Sequence, residues 1–239
     1  MIKVKNLKKS FGVNEVLKDV SFEVADEEVV ALIGFSGCGK STALRIIAGL
    51  ETYNDGNITL SSDNIGMSFQ YSALFDSLTV RDNIAFPFEV GEDLPGYSLK
   101  EINIKVSDTL NLVGLPNIEH QFPSELSGGM KKRVSFARAI INDPQIMLYD
   151  EPTAGLDPMA STVVEDLIVK LQREKKASSI VVTHQASTIR RTAQRVLMLY
   201  EGYIVWEGTP KELFDYNNDN PFAKQFRDGA LDGPMKLRI

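Results

Sequence analysis

Short continuous apolar runs alternate with helical patterns along this chain, and the alternation predicts an α/β fold. Such runs are typical of parallel strands that are buried on both faces of a sheet. They occur at Val29–Gly34, Ile146–Tyr149, Ile180–Thr183 and Val196–Tyr200. Between the second and third runs, apolar residues have the spacing of one helical face, at Val163, Val164, Leu167, Ile168 and Leu171. Strands that alternate with helices in this way imply βαβ crossovers and a parallel sheet.

Other segments depart from this alternation and predict further parts of the fold. Met1–Val4 and Val20–Val24 predict an antiparallel pair of strands, and a turn after Tyr200 leads to a closing strand at Ile204–Trp206. Residues 71–142 are compatible with helix but are interrupted at Pro87, Pro95, Gly96, Pro116 and Pro123. We therefore predict a nucleotide-binding core of residues 1–70 and 143–215, with a helical subdomain inserted at 71–142.

The last segment, residues 216–239, predicts a loosely held C-terminal extension. It contains a polar run at 217–220 before Pro221 and two Asp-Gly steps, which are typical of turns. Its aromatic residues are Tyr216, Phe222 and Phe226. They either cover an edge of the core or pack on a neighbouring subunit, and the sequence leaves both alternatives open.

Composition and charge exclude several classes of protein. The 239 residues are 43% hydrophobic and 24% charged, as in an ordinary globular protein, and the net charge of −6 opposes non-specific binding to nucleic acid. No apolar run approaches the roughly 20 residues that span a bilayer, and no secretory signal is evident. Cys38 is the single cysteine, so no disulfide is possible within the chain. We expect a soluble chain in a reducing compartment.

A glycine-rich loop between the first buried strand and a predicted helix carries the strongest chemical signal. The run Gly34-Phe35-Ser36-Gly37-Cys38-Gly39-Lys40-Ser41-Thr42 fits the phosphate-loop pattern G-x-x-x-x-G-K-[ST]. Its backbone N–H groups and the start of the following helix, predicted at Thr42–Ala48, suit a phosphate. We expect Lys40 to contact the β- and γ-phosphates and Ser41 to hold Mg²⁺. We interpret Cys38 as a small side chain that the tight loop tolerates; a redox sensor is the alternative.

Two adjacent carboxylates follow the buried strand at Ile146–Tyr149. Asp150 and Glu151 would lie at the carboxyl edge of the sheet, where ligands bind in such folds. Asp150 suits the coordination shell of Mg²⁺, and Glu151 suits a general base that polarises the attacking water. With the phosphate loop, this pair predicts hydrolysis of a nucleoside triphosphate.

The run Leu126-Ser127-Gly128-Gly129-Met130 resembles the signature sequence of ABC-type ATPases. A Ser-capped helix start with paired glycines offers N–H groups to an anion. Because the chain has its own phosphate loop, this second site makes sense if it faces ATP held by another copy. The resemblance implies a head-to-tail dimer in which Ser127, Gly128 and Gly129 of one copy meet the nucleotide of the other.

The resemblance to ABC-type ATPases extends over nearly the whole chain and implies further roles, with ATP and Mg²⁺ as substrate and cofactor. Phe11 matches the aromatic residue that stacks on adenine, and Gln70 matches a glutamine that touches Mg²⁺ and water. Ala154-Gly155-Leu156-Asp157 matches the loop that crosses the dimer interface, so Asp157 joins the nucleotide-binding set. His184 matches the switch histidine that contacts the γ-phosphate, whereas His120 is interpreted as structural.

Three features resemble the MlaF-type ATPases of Mla and Mce-type lipid transport systems. They are the signature ending in Met130, the segment 73–80 running into 83–87, and the tail Asp228-Gly229-Ala230-Leu231-Asp232-Gly233-Pro234. The resemblance implies a multispanning MlaE-type permease, an Mce-domain lipid-binding protein and a STAS-domain regulator as partners. It also implies a peripheral location on the cytoplasmic face of the inner membrane.

Two other functions remain as alternatives to lipid transport. In the first alternative the chain is the ATPase of an importer for a polar solute such as an amino acid. In the second it is a non-transport ABC ATPase. The second alternative usually needs tandem cassettes or a long coiled coil, and neither is evident in the sequence. Phe35, Gln185 and Met130 depart from the usual ABC residues at their positions. None of these departures removes a catalytic group, so they bear on the subfamily.

Overall fold

A single mixed sheet runs through the molecule. The computed structural model describes residues 1–90 and 96–236, so Pro95 and the last three residues of the predicted extension lie outside the described residues. The strands are β1 (Ile2–Phe11), β2 (Asn14–Val24), β3 (Val29–Ile33), β4 (Asp55–Leu60), β5 (Ile65–Ser68), β6 (Ile146–Asp150), β7 (Ser178–Val182), β8 (Arg195–Tyr200) and β9 (Tyr203–Gly208). The helices are α1 (Lys40–Ile47), α2 (Val80–Val90), α3 (Leu99–Leu112), α4 (Gly128–Ile140), α5 (Pro158–Lys175), α6 (Ala186–Thr192), α7 (Pro210–Leu213) and α8 (Pro221–Asp228).

The strand order confirms the predicted fold class. The described strands are ordered β4-β1-β2-β9-β8-β3-β7-β6-β5. The run from β8 to β5 is parallel, whereas β1 pairs antiparallel with β2 and with β4. The predicted antiparallel amino-terminal strands and the closing strand after Tyr200 are both present. The fold is therefore an α/β P-loop arrangement with a parallel core.

The parallel register brings the chemically important strand ends to one edge. Residues of β3, β6 and β7 are almost completely buried, because helices cover both faces of this part of the sheet. Leu32 pairs with Val182, and Asp150 pairs with Val182 from the other side. The loops that follow β3, β6 and β7 consequently leave the sheet beside one another.

Between β5 and β6 the described residues are mainly helical, as the sequence predicts. The helices α2, α3 and α4 share one hydrophobic cluster with β6 and α5. Within it, the rings of Phe136 and Tyr149 stack with their centroids 5.3 Å apart. This contact joins α4 to the strand that carries Asp150. The division into a core and an inserted subdomain at 71–142 stays a prediction.

Two expectations about packing are wrong. Val163 was expected on the buried face of α5 but is 48% exposed, because it lies about 100° around the helix from Val164.

The C-terminal extension is not loosely held. Phe222 and Phe226 pack against the core, and Met235 is buried. Tyr216 is exposed.

The close packing of β5 gives a test of the core. A Cβ atom on Gly66 would lie 2.3 Å from the carbonyl oxygen of Ala139 and 2.5 Å from the sulfur of Met147. We expect Gly66→Ala to lower the free energy of unfolding by about 1–3 kcal/mol, as overpacking of a core does. Urea unfolding followed by circular dichroism measures this change.

Gly96→Ala is the matched control, because no described atom lies within 4 Å of its added Cβ. Equal stabilities of the two variants would contradict the packing at Gly66.

A candidate nucleotide-binding site

The loop between β3 and α1 has the backbone geometry of a phosphate loop. Gly34 has φ of 146°, and a Cβ atom there would lie 2.2 Å from the carbonyl oxygen of Leu199. Only glycine satisfies both conditions. Lys40 is buried and donates to the carbonyl oxygens of Gly34 and Phe35, both at 2.9 Å. The lysine side chain thus folds back along the loop that precedes it.

Asp150 and Ser41 meet at this edge of the sheet. The Ser41 hydroxyl donates to Oδ1 of Asp150 at 2.8 Å, and Asp150 is only 2% exposed. Ser41 lies in the first turn of α1, where the helix dipole favours negative charge. The contact joins the end of β6 to the start of α1.

Glu151 and His184 form a pair beside Asp150. The His184 Nδ1 atom lies 2.9 Å from Glu151 Oε1, whereas Oε2 is buried without a partner among the described residues. Glu151 has φ of 46°, in the left-handed region, and its N–H donates to the carbonyl oxygen of Val182. One carboxylate oxygen is therefore fixed, and the other is available to a ligand.

A cavity of about 540 Å³ brings most of the predicted residues together. The predicted residues that line it are Gly34, Phe35, Ser36, Gly37, Lys40, Ser41, Gln70, Glu151 and His184. Gln70 lies two residues beyond the end of β5. The cavity therefore combines the phosphate loop with Gln70 and with the Glu151–His184 pair.

Four other predicted residues, Cys38, Gly39, Thr42 and Phe11, are not among the residues that line this cavity in the described part of the chain. Cys38 lines a neighbouring cavity of about 190 Å³, and burial raises the pKa of its thiol. Gly39 and Thr42 lie at the start of α1. Phe11, at the end of β1, is 48% exposed, and the ammonium of Lys9 lies 4.6 Å from its ring centroid.

The predicted signature residues lie elsewhere. Ser127 caps α4 by accepting from the Met130 N–H, and at the helix start Gly128 is exposed and Gly129 is half-buried. Asp157 caps α5. None of these residues lines the cavity in the described part of the chain. Within a single chain, the predicted signature residues and Asp157 are therefore not part of the cavity that contains the phosphate loop.

Lys132 is a site residue that the sequence analysis missed. Its side chain is buried, and its ammonium donates to the carbonyl oxygens of Phe69, at 3.2 Å, and Gln70. Burial lowers the pKa of Lys132, whereas the charges of Asp150 and Glu151 act to raise it. A basic run at 131–133 gives no sign of which residue is buried, so no sequence signal identifies this contact.

A buried polar network also joins the two loops that carry Glu151 and His184. The Thr153 hydroxyl donates to the side-chain oxygen of Gln185 at 2.9 Å and lies 3.1 Å from the Thr188 hydroxyl. Thr188 in turn donates to Glu165 at 2.8 Å, and Glu165 is 1% exposed. Arg191 pairs with the same carboxylate. Thr153, two residues beyond Glu151, is thereby joined to Gln185, which directly follows His184.

The C-terminal residues contribute to the cavity as well. Gln225, Phe226, Arg227, Gly229, Ala230 and Leu231 line it beside the phosphate loop. The sequence analysis did not place them there. The sequence does carry a signal for a helix here, because Asn220 suits the N-cap and Pro221 suits the first helical position. It carries no signal for where that helix packs.

A phosphate loop on a parallel sheet, with adjacent acids at the carboxyl edge, defines the class of P-loop nucleoside triphosphatases. The profile of the ABC transporter family matches residues 17–154. The chain belongs to this family and is an ATP-binding, ATP-hydrolysing cassette. In the described part of the chain, no helix is both long and apolar enough to cross a bilayer.

The similar proteins include transport ATPases and a solved cassette. The chain is 45% identical to "Protein TRIGALACTOSYLDIACYLGLYCEROL 3, chloroplastic" of Arabidopsis thaliana, over 99% of this chain and 76% of that protein. It is 42% identical to the arginine transport ATP-binding protein ArtM of Bacillus subtilis, over 90% of this chain and 93% of that protein. A dimeric post-hydrolysis structure of the cassette MJ0796 with ADP and Pi has a TM-score of 0.80 at 29% identity, covering 88% of this chain and 99% of that one.

Lys132 provides a test of the coupling between α4 and Gln70. We expect Lys132→Met to lower kcat for ATP by about tenfold or more, the size of effect that residues supporting a site commonly have. The physical reason is that the carbonyl groups of Phe69 and Gln70 lose their shared donor. Steady-state ATPase assays measure the change.

Lys131→Met is the matched control, with an expected change in kcat within about twofold. A folded Lys132→Met protein with the wild-type kcat would contradict this role.

Proposed function

We propose that this chain is the ATPase subunit of an ABC transporter that moves lipids, of the MlaF type. The observation that carries the proposal is the 45% identity, over 99% of this chain, to a protein whose name contains that of a lipid, trigalactosyldiacylglycerol. The Mla- and Mce-like segments of the sequence support the same choice. The partners are then an MlaE-type permease, an Mce-domain lipid-binding protein and a STAS-domain regulator.

The active form is a head-to-tail dimer with two composite sites. This arrangement is supported by two observations: the signature residues do not line the described cavity of their own chain, and the similar cassette MJ0796 has a dimeric structure. Ser127, Gly128, Gly129 and Asp157 of one copy then complete the site of the other. Exposed N–H groups at the start of α4 supply positive charge to the phosphates.

The phosphate loop and Asp150 fit ATP with Mg²⁺. Mg²⁺ prefers oxygen ligands, and the Ser41 hydroxyl and Asp150 carboxylate already lie together, with Gln70 lining the same cavity. When bound, the metal neutralises phosphate charge. Lys40 and the loop N–H groups orient the phosphates, and Phe11 offers an exposed ring to adenine.

Glu151 and His184 fit the chemistry of hydrolysis. Oε2 of Glu151 is positioned to accept a proton from an attacking water, because it is buried with no competing partner among the described residues. His184 holds the other oxygen, and its partly exposed ring faces the cavity, where it can contact the γ-phosphate.

The permease docks in an apolar cavity of about 570 Å³ between the sheet and the helical segment. Its lining includes Met67, Phe69, Phe75, Phe86 and Pro87. A partner seated there contacts Phe69, next to Gln70, so movement at the membrane side reaches the nucleotide cavity directly. The chain is then peripheral, on the cytoplasmic face of the membrane.

Import of a polar solute is the second candidate function. The 42% identity to ArtM, over 93% of that protein, favours it. Methionine and sulfate import ATPases are also similar, at 38% and 36% identity. Both functions use the same ATPase chemistry, and the permease determines which of them applies.

The role of Glu151 is tested by Glu151→Gln. We expect turnover of ATP to fall by about 10²–10⁴-fold, the usual contribution of a positioned general base, while ATP still binds. Phosphate release and equilibrium ATP binding measure the two effects. Near wild-type turnover would contradict the assignment.

The cargo is tested by affinity capture of tagged Glu151→Gln protein from native membranes with ATP and Mg²⁺. Mass spectrometry then identifies the captured proteins and lipids, with a Lys40→Ala capture as the control that lacks ATP binding. We expect an MlaE-type permease and an Mce-domain protein with bound phospholipid. A solute permease would favour the second candidate, and capture of soluble partners alone would contradict a transport function.

A further inference from the structure

The C-terminal segment Pro221–Lys236, here called the C-terminal strap, contacts both sides of the phosphate loop. On one side, six of its residues, Gln225 to Arg227 and Gly229 to Leu231, line the cavity that holds Lys40 and Glu151. On the other, Lys236 lines the neighbouring cavity with Ser36 and Cys38. The strap therefore runs along the loop on which we place ATP.

Phe35 joins the phosphate loop to the strap through apolar contacts. It packs against a buried cluster that includes Ala223 and Met235 of the strap, and Phe222 and Phe226 pack against the same cluster. Phe35 is a large apolar side chain in a loop otherwise made of Gly, Ser and Cys before Lys40, so the loop has a ring that needs a covering surface. The strap supplies this surface within the same chain.

Gln225 fixes the fold of the strap after α8. Its side-chain amide donates to the carbonyl oxygens of Met235, at 2.7 Å, and Ala230, at 3.2 Å, and its oxygen accepts from the Met235 N–H at 2.8 Å. Gln225 is 3% exposed, so these bonds are shielded from water. A Cβ atom on Gly233 would lie 2.4 Å from the Gln225 side chain. The irregular end of the strap is thus held by one buried amide.

Both ends of the strap are attached to Tyr200 of the core. The N–H of Lys236 donates to the Tyr200 hydroxyl at 3.0 Å, and the Tyr200 ring lies 6.3 Å from that of Phe222. Tyr200 ends β8, the strand that neighbours β3. The strap is consequently fastened to the same part of the sheet that carries the phosphate loop.

We propose that Gln225 is a positioning residue that, by holding the C-terminal strap against Phe35, fixes the phosphate loop and strengthens ATP binding. A glycine-rich loop loses conformational entropy when it orders around phosphates. A loop that is already held in place loses less, and the difference appears as affinity. The effect on affinity rests on the proposed placement of ATP on this loop.

The rate at which a thiol reagent labels Cys38 measures how well the strap covers the phosphate loop, and this measurement does not depend on ATPase activity. It is the single cysteine of the chain, lies in the phosphate loop and lines the same cavity as Lys236. Gln225→Leu keeps the side-chain bulk but removes all three hydrogen bonds to Ala230 and Met235. We expect N-ethylmaleimide to label Cys38 about tenfold faster in this variant, because local opening becomes more frequent.

The steady-state kinetics of Gln225→Leu distinguish a role in positioning the phosphate loop from a general loss of folded structure. We expect the KM for ATP to rise by about five- to tenfold with kcat within about twofold, since the catalytic groups are unchanged. Gly233→Ala, which crowds Gln225 from the other side, is expected to act in the same direction. Lys224→Leu, on an exposed position of α8, is the matched control and keeps the wild-type labelling rate and KM.

Several outcomes overturn the inference. They are wild-type labelling in a folded Gln225→Leu protein, equally fast labelling in Lys224→Leu, or faster labelling with an unchanged KM. Cys38→Ser confirms that the label is on this residue. Failure of ATP to protect Cys38 in the wild-type chain would instead contradict the placement of ATP, and the labelling comparison between variants would still decide whether the strap covers the loop.

Discussion

The rest of the site depends on how the buried carboxylate of Asp150 is compensated by its neighbours. A carboxylate that is 2% exposed is costly unless hydrogen bonds and opposite charge compensate it. Ser41 supplies the hydrogen bond, and the buried ammonium of Lys132 supplies charge nearby. Because Ser41 lies in the first turn of α1 and Asp150 ends β6, this compensation joins the phosphate loop to the carboxyl edge of the sheet. The arrangement on which the proposed ATP chemistry depends is therefore already present in the folded chain.

The same compensation connects the site with surfaces further away. Lys132 lies on α4, the helix whose start carries Ser127, and donates to the backbone of Phe69 and Gln70. Phe69 also lines the apolar cavity beside the helical segment. One buried cation thus contacts the backbone between the nucleotide cavity and that apolar cavity. The start of α4, the backbone before the nucleotide cavity and the apolar cavity are therefore connected through Lys132 and Phe69.

The sequence predicted the fold class, the phosphate loop and those cavity residues that lie in recognisable local motifs, but not the C-terminal residues that line the same cavity. Buried strands give continuous apolar runs, and glycine at position 34 is required by both its backbone angle and the nearby Leu199. The burial of Lys132 could not be predicted, since it depends on a neighbour 62 residues away. Likewise, the Thr153–Gln185 contact joins residues 32 positions apart through a tertiary arrangement.

The C-terminal segment shows why composition alone misled the prediction of order. Asn, Asp and Gly residues predict turns, and turns are often loosely held, but a turn is ordered when its backbone groups find buried partners. Gln225 provides such partners for Ala230 and Met235, and the adjacent aromatic rings bury the apolar surface. A buried polar side chain such as Gln225 can therefore order a segment that has few apolar residues, by bonding to its backbone groups. The ordered strap shares its hydrophobic cluster with Phe35, so an irregular segment of the chain lies beside the phosphate loop.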